Sequence, residues 1–183
     1  MPELVLLTHA TEFERPTNTG RLVLQTAQAS CPNEAQTAGN GWQVRAALWQ
    51  RRCPDAALIV SIEAAADNPR QHYVLLYPSP DALIVDVDLP HSSTSATPDF
   101  PAGFILLDAT WQQAQKMYNQ SPYLHALPKW QIQSTHASAY KLRRNQKQQG
   151  WCTAELVQLL WRYSGASESA AELGRRFFDF NQR

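Results

Sequence analysis

Short aliphatic runs, each closed by a polar or turn-forming cluster, alternate along the chain with stretches of helical periodicity. Leu4–Thr8 is a continuous apolar run too short for a helix and predicts a buried strand. A polar loop follows to Gly20, and a helix over Arg21–Ala29 is expected, with Asn18 or Thr19 placed to cap it. A second helix is expected from Val44 to Arg52, ending ahead of Cys53-Pro54. Three strand signals come next, Ala57–Ser61, Tyr73–Tyr77 and Ala82–Asp86, separated by Asp, Asn, Pro and Ser. Leu89–Gly103 is rich in Ser, Thr and Pro and reads as a loop long enough to serve as a substrate lid or as ordinary surface.

The later half repeats the alternation. Phe104–Leu107 predicts a buried strand, and Trp111, Ala114, Gln115 and Tyr118 recur at helical spacing, with a stop before Ser121-Pro122. Trp130–Ser134 has strand-like alternation, while Cys152–Tyr163 is helical with Leu156, Leu159, Leu160 and Tyr163 on one face. A last helix is expected from a capping signal at Ser167, docking through Leu173, Phe177 and Phe178. Strands alternating with helices predict an α/β fold, a mainly parallel sheet flanked by helices.

Composition narrows the class without naming the chemistry. The 183 residues suit one domain, expected over 1–183, with a core large enough to need no staples. No apolar run reaches the roughly 20 residues of a membrane span, and the start lacks secretory-signal features, so a cytoplasmic location is expected. Sixteen basic and sixteen acidic residues argue against binding nucleic acid through overall charge; any such contact must use local patches. Cys31, Cys53 and Cys152 are odd in number and widely spaced, which predicts reduced thiols and no metal knuckle. The five histidines show no ligand spacing, so no metal is expected.

The apolar run at Phe104 ends abruptly in Asp108, Thr110 and Trp111. Open α/β sheets bind ligands outside the carboxyl ends of their strands, which makes this acid, hydroxyl and indole a candidate reaction centre. Capping by Asp108 or Thr110, with Trp111 as a core anchor, accounts for the same residues. Arg15 offers a bidentate fork beside Thr17, Asn18 and Thr19, a group suited to phosphate or carboxylate; a Pro16–Gly20 turn with Asn18 as a helix cap is the structural alternative. Tyr140–Lys147 is the densest basic segment, containing Lys141, Arg143 and Arg144 with an aromatic at its edge.

Four blocks carry a resemblance to the DTW-domain family of tRNA-uridine aminocarboxypropyltransferases. They are Thr8-His-x-x-Glu-Phe-x-Arg-Pro-Thr-Asn-Thr-Gly20, Leu75-Leu-Tyr-Pro-Ser79, Leu106-Leu-Asp-Ala-Thr-Trp-Gln-Gln-Ala114 with Ser121–Pro128, and Ser138-x-Tyr-x-Leu-Arg143 with Thr153-x-Glu155. The chain departs from the family pattern at Ala10, Ala109 and Cys152, and lacks the cysteine cluster that many relatives carry ahead of the first strand. The resemblance implies a SPOUT-like fold with a C-terminal trefoil knot and S-adenosylmethionine as cofactor. It also implies transfer of the 3-amino-3-carboxypropyl group to N3 of a uridine in tRNA. It casts Asp108, Thr110 and Trp111 as catalytic. Tyr77, Pro78, Leu107, Arg143, Thr153 and Glu155 would bind the cofactor, and Arg15, Thr17, Asn18, Thr19, Lys141 and Arg144 the substrate. The alternatives are a SPOUT-type RNA methyltransferase and a non-catalytic RNA-binding module.

Overall fold

A computed structural model describes residues 1–29, 37–38, 41–66, 72–88, 100–141 and 150–182. Its centre is a parallel sheet of six strands: β1 (Glu3–Thr8), β3 (Trp42–Leu48), β4 (Tyr73–Leu76), β5 (Leu83–Asp86), β6 (Gly103–Asp108) and β7 (Lys129–Gln133). A two-residue strand, β2 (Thr37–Ala38), adds antiparallel to β3 and gives the order β2-β3-β1-β6-β4-β7-β5. The central strands β1 and β6 are buried on both faces, which is why their sequences are nearly continuous aliphatic runs.

The period-2 alternation of those strands divides the core into two layers. Leu4, Leu6, Val74, Leu76, Phe104 and Leu106 point to one face. There they meet α2 (Gly20–Ala29), α6 (Thr153–Tyr163) and α7 (Ser167–Asn181). Val5, Leu7, Leu75, Tyr77, Ile105 and Leu107 point to the other. That face is covered by α3 (Ala56–Ala66), α4 (Trp111–Asn119) and α5 (Pro122–His125). A short helix α1 (Ala10–Phe13) follows β1 directly.

Two predicted elements exchange identity. The helix expected over Val44–Arg52 is β3 up to Leu48: Val44, Arg45 and Ala46 register against Leu4, Val5 and Leu6, and pairing with a fully buried strand overrides the helix propensity of Arg, Ala and Leu. The strand expected over Ala57–Ser61 is the first half of α3. The apolar run continues to Ala66, eleven residues, and Asp55 starts it as a helix by accepting from the Leu58 backbone N–H at 2.8 Å. Smaller differences fall at the last helix. Its N-cap is Ala166, with no side-chain cap bond, after a turn through Gly165 at φ 84°. Phe178 is 63% exposed, and Phe180 takes the docking place expected of it. Most of the candidate lid, residues 89–99, lies outside the described residues.

Candidate active site at the carboxyl edge of the sheet

Strand register brings the motif blocks to one edge. Thr8 is paired with Asp108 at the carboxyl ends of β1 and β6, and Leu76 with Leu106, so the Tyr77-Pro78 turn emerges beside Leu107 and Asp108. Asp108 falls on the α2/α6 side by alternation, and its carboxylate is 3% exposed. Three donors surround it. Thr153 Oγ1 donates to Oδ1 at 2.7 Å and Asn18 Nδ2 to Oδ2 at 3.0 Å, while the Thr8 hydroxyl shares its hydrogen between Oδ2 at 3.3 Å and the Leu6 carbonyl at 3.2 Å. Gly20 and Thr153 are the first residues of α2 and α6, so the carboxylate lies where the partial positive charge of two helix ends favours an anion. Gly20 is required by space: a Cβ there would stand 2.5 Å from Asp108 Oδ2.

Asn18 extends this buried network. Its Nδ2 also donates to the Glu12 carbonyl at 2.8 Å, and its Oδ1 accepts from the Gly20 N–H at 2.6 Å, the cap that the sequence suggested for α2. Thr19 is buried and its Oγ1 accepts from the Ala154 N–H at 3.3 Å; the Thr17 carbonyl accepts from the Tyr140 hydroxyl at 2.7 Å. Arg15 is exposed on one side and donates to buried Glu12 at 2.7 Å. Glu155 is turned inward. It accepts from the Cys152 N–H at 2.9 Å, completing a capping box on α6, and from the Ala139 N–H and the Ser138 hydroxyl. Burial, reinforced by Glu155, pushes the Cys152 thiol up to about 12; Cys53 and Cys152 are both free.

The other side of the edge is aromatic and open. Trp111 is 43% exposed, which excludes its reading as a core anchor. Its ring stacks on Tyr77 at 5.7 Å and 13°, and Tyr77 stacks on Tyr118 at 4.5 Å and 16°. Burial raises the Tyr77 phenol, with Tyr118 adding to the shift. Pro78 is exposed beside this ladder, whereas Leu107 is core. Thr110 is the N-cap of α4, in a capping box with Gln113, the cap that the sequence offered for this residue.

Three of the four blocks therefore meet at Asp108, and the second meets the third where Tyr77 stacks on Trp111. Lys141 is exposed, its backbone N–H bonded to Asn181; Arg143 and Arg144 lie outside the described residues. The sequence reading missed Thr8, which is only visible as a ligand of Asp108 once β1 and β6 are adjacent. It also missed Gln113 and His9, which join the β1–α1 turn to the start of α4. Trp49, at the end of β3, stacks on His9 at 5.7 Å. Among the described residues no cluster of three His, Cys, Asp or Glu side chains could hold a metal, and no helix is long and apolar enough to cross a membrane.

Comparison with known proteins agrees with the convergence of these blocks, since the family model for the DTW domain matches residues 2–183. The chain is a member of the DTW-domain family. A fruit-fly (Drosophila melanogaster) protein described as tRNA-uridine aminocarboxypropyltransferase 2 is 30% identical over 93 residues. That match covers 51% of this DTW chain and 34% of the fly protein, so the chain spans only about a third of the relative it resembles. No solved structure matches.

Proposed function

We propose that this DTW protein modifies tRNA, transferring the 3-amino-3-carboxypropyl group of S-adenosylmethionine to N3 of a uridine. The observation that carries the reading is the half-exposed Trp111 indole, stacked on Tyr77 and set beside the buried Asp108 hub at the carboxyl edge. An exposed aromatic face suits both a flat nucleobase and a cationic sulfonium, so the residues fit this cofactor. Tyr77, Pro78 and Trp111 would hold it, and when bound it supplies the activated carbon and the leaving group. The relative's activity and the family model support the same reaction class.

The chain's own contribution is positioning. Trp111 presents a stacking surface backed by the buried Tyr77 ring, and Arg15, exposed at the rim, offers a cation to the RNA backbone. Asp108 organises the site from within. With three donors on its two oxygens and almost no exposure, it fixes Thr8, Asn18 and Thr153 in place of abstracting a proton. Thr153 and Glu155, engaged internally, act as supports of the α6 entrance and not as direct cofactor ligands.

The SPOUT-like fold with a C-terminal trefoil knot, in a single domain, belongs to the same proposal. The placement of the later strands β6 and β7 on either side of β4 supports it. Nucleoside mass spectrometry after incubating unmodified tRNA with the protein and S-adenosylmethionine tests the function, with an aminocarboxypropyl-uridine expected. A methylated nucleoside would replace the proposal with a methyltransferase. Saturable tRNA binding without any new nucleoside would replace it with a binding module.

A further inference from the structure

His9 belongs to no role assigned above, yet it connects the β1–α1 turn to the helix that carries Trp111. It is the N-cap of α1, and its Nδ1 receives the Thr11 backbone N–H at 3.3 Å. A backbone N–H can only donate, so Nδ1 holds a lone pair and the neutral ring carries its proton on Nε2. The orientation of Gln113 is fixed by the same reasoning. Its Oε1 accepts from the Thr110 backbone N–H at 2.9 Å and from Thr110 Oγ1 at 2.8 Å. Its Nε2 is therefore left facing the turn, donating to Thr11 Oγ1 at 2.8 Å with His9 Nδ1 at 3.5 Å. Thr11 Oγ1, which receives that amide, lies 3.0 Å from Nδ1 and can pass its own hydrogen to it. The chain His9–Thr11–Gln113–Thr110 thus ends on the cap of α4, and Trp111 is the next residue.

We propose that His9 is a positioning residue whose neutral imidazole clamps the N-terminus of α4, and with it the Trp111 indole, and that protonation of His9 releases the clamp. A proton on Nδ1 would set one N–H against the Thr11 N–H and the Gln113 amide, leaving three donors at the junction with the Thr11 hydroxyl as their one acceptor. Burial first, and then the balance of charges around the ring, favours the neutral imidazole. Lys116 on α4 and Arg15 after α1 both disfavour the imidazolium, Glu12 favours it but is already paired to Arg15, and Trp49 covers one face. Asp108 presents only its backbone carbonyl to this residue, accepting the His9 N–H at 3.2 Å. Burial is the largest influence, and with the two cations it holds the imidazole below its ordinary 6.5.

The clamp itself is independent of what Trp111 binds; its consequence for RNA rests on the function proposed above. Indole NMR on the full chain separates the two. With the Trp111 Nε1–H signal assigned by its loss in Trp111→Phe, that signal is expected to shift with pH at the same midpoint as the His9 ring. His9→Asn keeps an N-cap acceptor for Thr11 but cannot titrate, so its Trp111 signal should stay at the neutral position throughout. A Trp111 signal that is flat across the His9 titration, or that keeps the same midpoint in His9→Asn, overturns the clamp. In the same samples, affinity for a uridine-containing oligonucleotide should fall about five-fold below the midpoint, what loss of one modest hydrogen bond gives, and only in the wild type. A shift of Trp111 with unchanged RNA affinity would support the clamp and overturn the base-stacking role of Trp111.

Discussion

Asp108 and Trp111 lie three residues apart at the same sheet edge, and they inhabit opposite environments. The carboxylate is enclosed on the α2/α6 side, where Thr8, Asn18 and Thr153 converge on it from three distant segments. The indole stands half-exposed on the α4 side, stacked against its edge-mate Tyr77, which stacks in turn on Tyr118. A buried anion is tolerable only when its lone pairs are taken by donors, which ties it to the fold. An aromatic ring needs no such partners, so it can be left exposed for a ligand at little cost to stability. One motif therefore contains an enclosed half and an exposed half.

The largest expected effect is on the enclosed half. Asp108→Ala leaves three donors facing a void and should lower unfolding stability by about 3 kcal/mol or more, read from urea denaturation. A variant of native stability that had lost only activity would break the division, because Asp108 would then act on the substrate and not on the fold. Gly20→Ala probes the same region through volume. Its Cβ would press on Asp108 Oδ2, and a loss of about 1–3 kcal/mol is expected, measurable as a lower denaturation midpoint.

Trp111→Ala sharpens the other half. Stability should fall by only about 0.5–1.5 kcal/mol, the worth of the Trp111–Tyr77 pair, while oligonucleotide affinity falls by about 1–3 kcal/mol, the worth of one base–aromatic stack. Equal losses of stability and affinity would show that the indole is structural after all. The smallest effect concerns the junction between the halves. Because the folded-state His9 ionises below its ordinary 6.5, the unfolded chain takes up a proton first as pH falls. The contribution of His9 is complete above 6.5 and declines as pH drops from there through the folded value. Denaturation midpoints for wild type should therefore slope more steeply than those of His9→Asn over that window, and parallel profiles would exclude the linkage.

The legible parts of the fold were those with an unambiguous period. β1, β4 and β6 are short and aliphatic, and α6 has a clean helical stripe, so local pattern was enough. β3 and α3 were misread for one reason: Ala, Leu and Val serve either structure, and pairing with β1 or the full length of the apolar run decides. The site was legible as a set of residue types but not as roles. Asn18 is a helix cap and also a ligand of Asp108, Thr110 caps α4, and Glu155 turns inward to hold Ser138 and Ala139. Arg143 and Arg144 fall outside the described residues, so the basic segment contributes only Lys141 to this picture.

By itself the sequence determined that an acid, a hydroxyl and an indole would leave a buried strand together, because hydrophobic period and turn residues act over a few positions. It also determined the family, through motifs whose spacing survives along most of the chain. Only the tertiary structure decided which of those groups would be closed in and which left open. Thr8, Asn18 and Thr153 reach Asp108 across 100, 90 and 45 positions, and Gln113 reaches His9 across 104. Contacts at such separations depend on strand order and on where helices begin in space, and no local spacing records either.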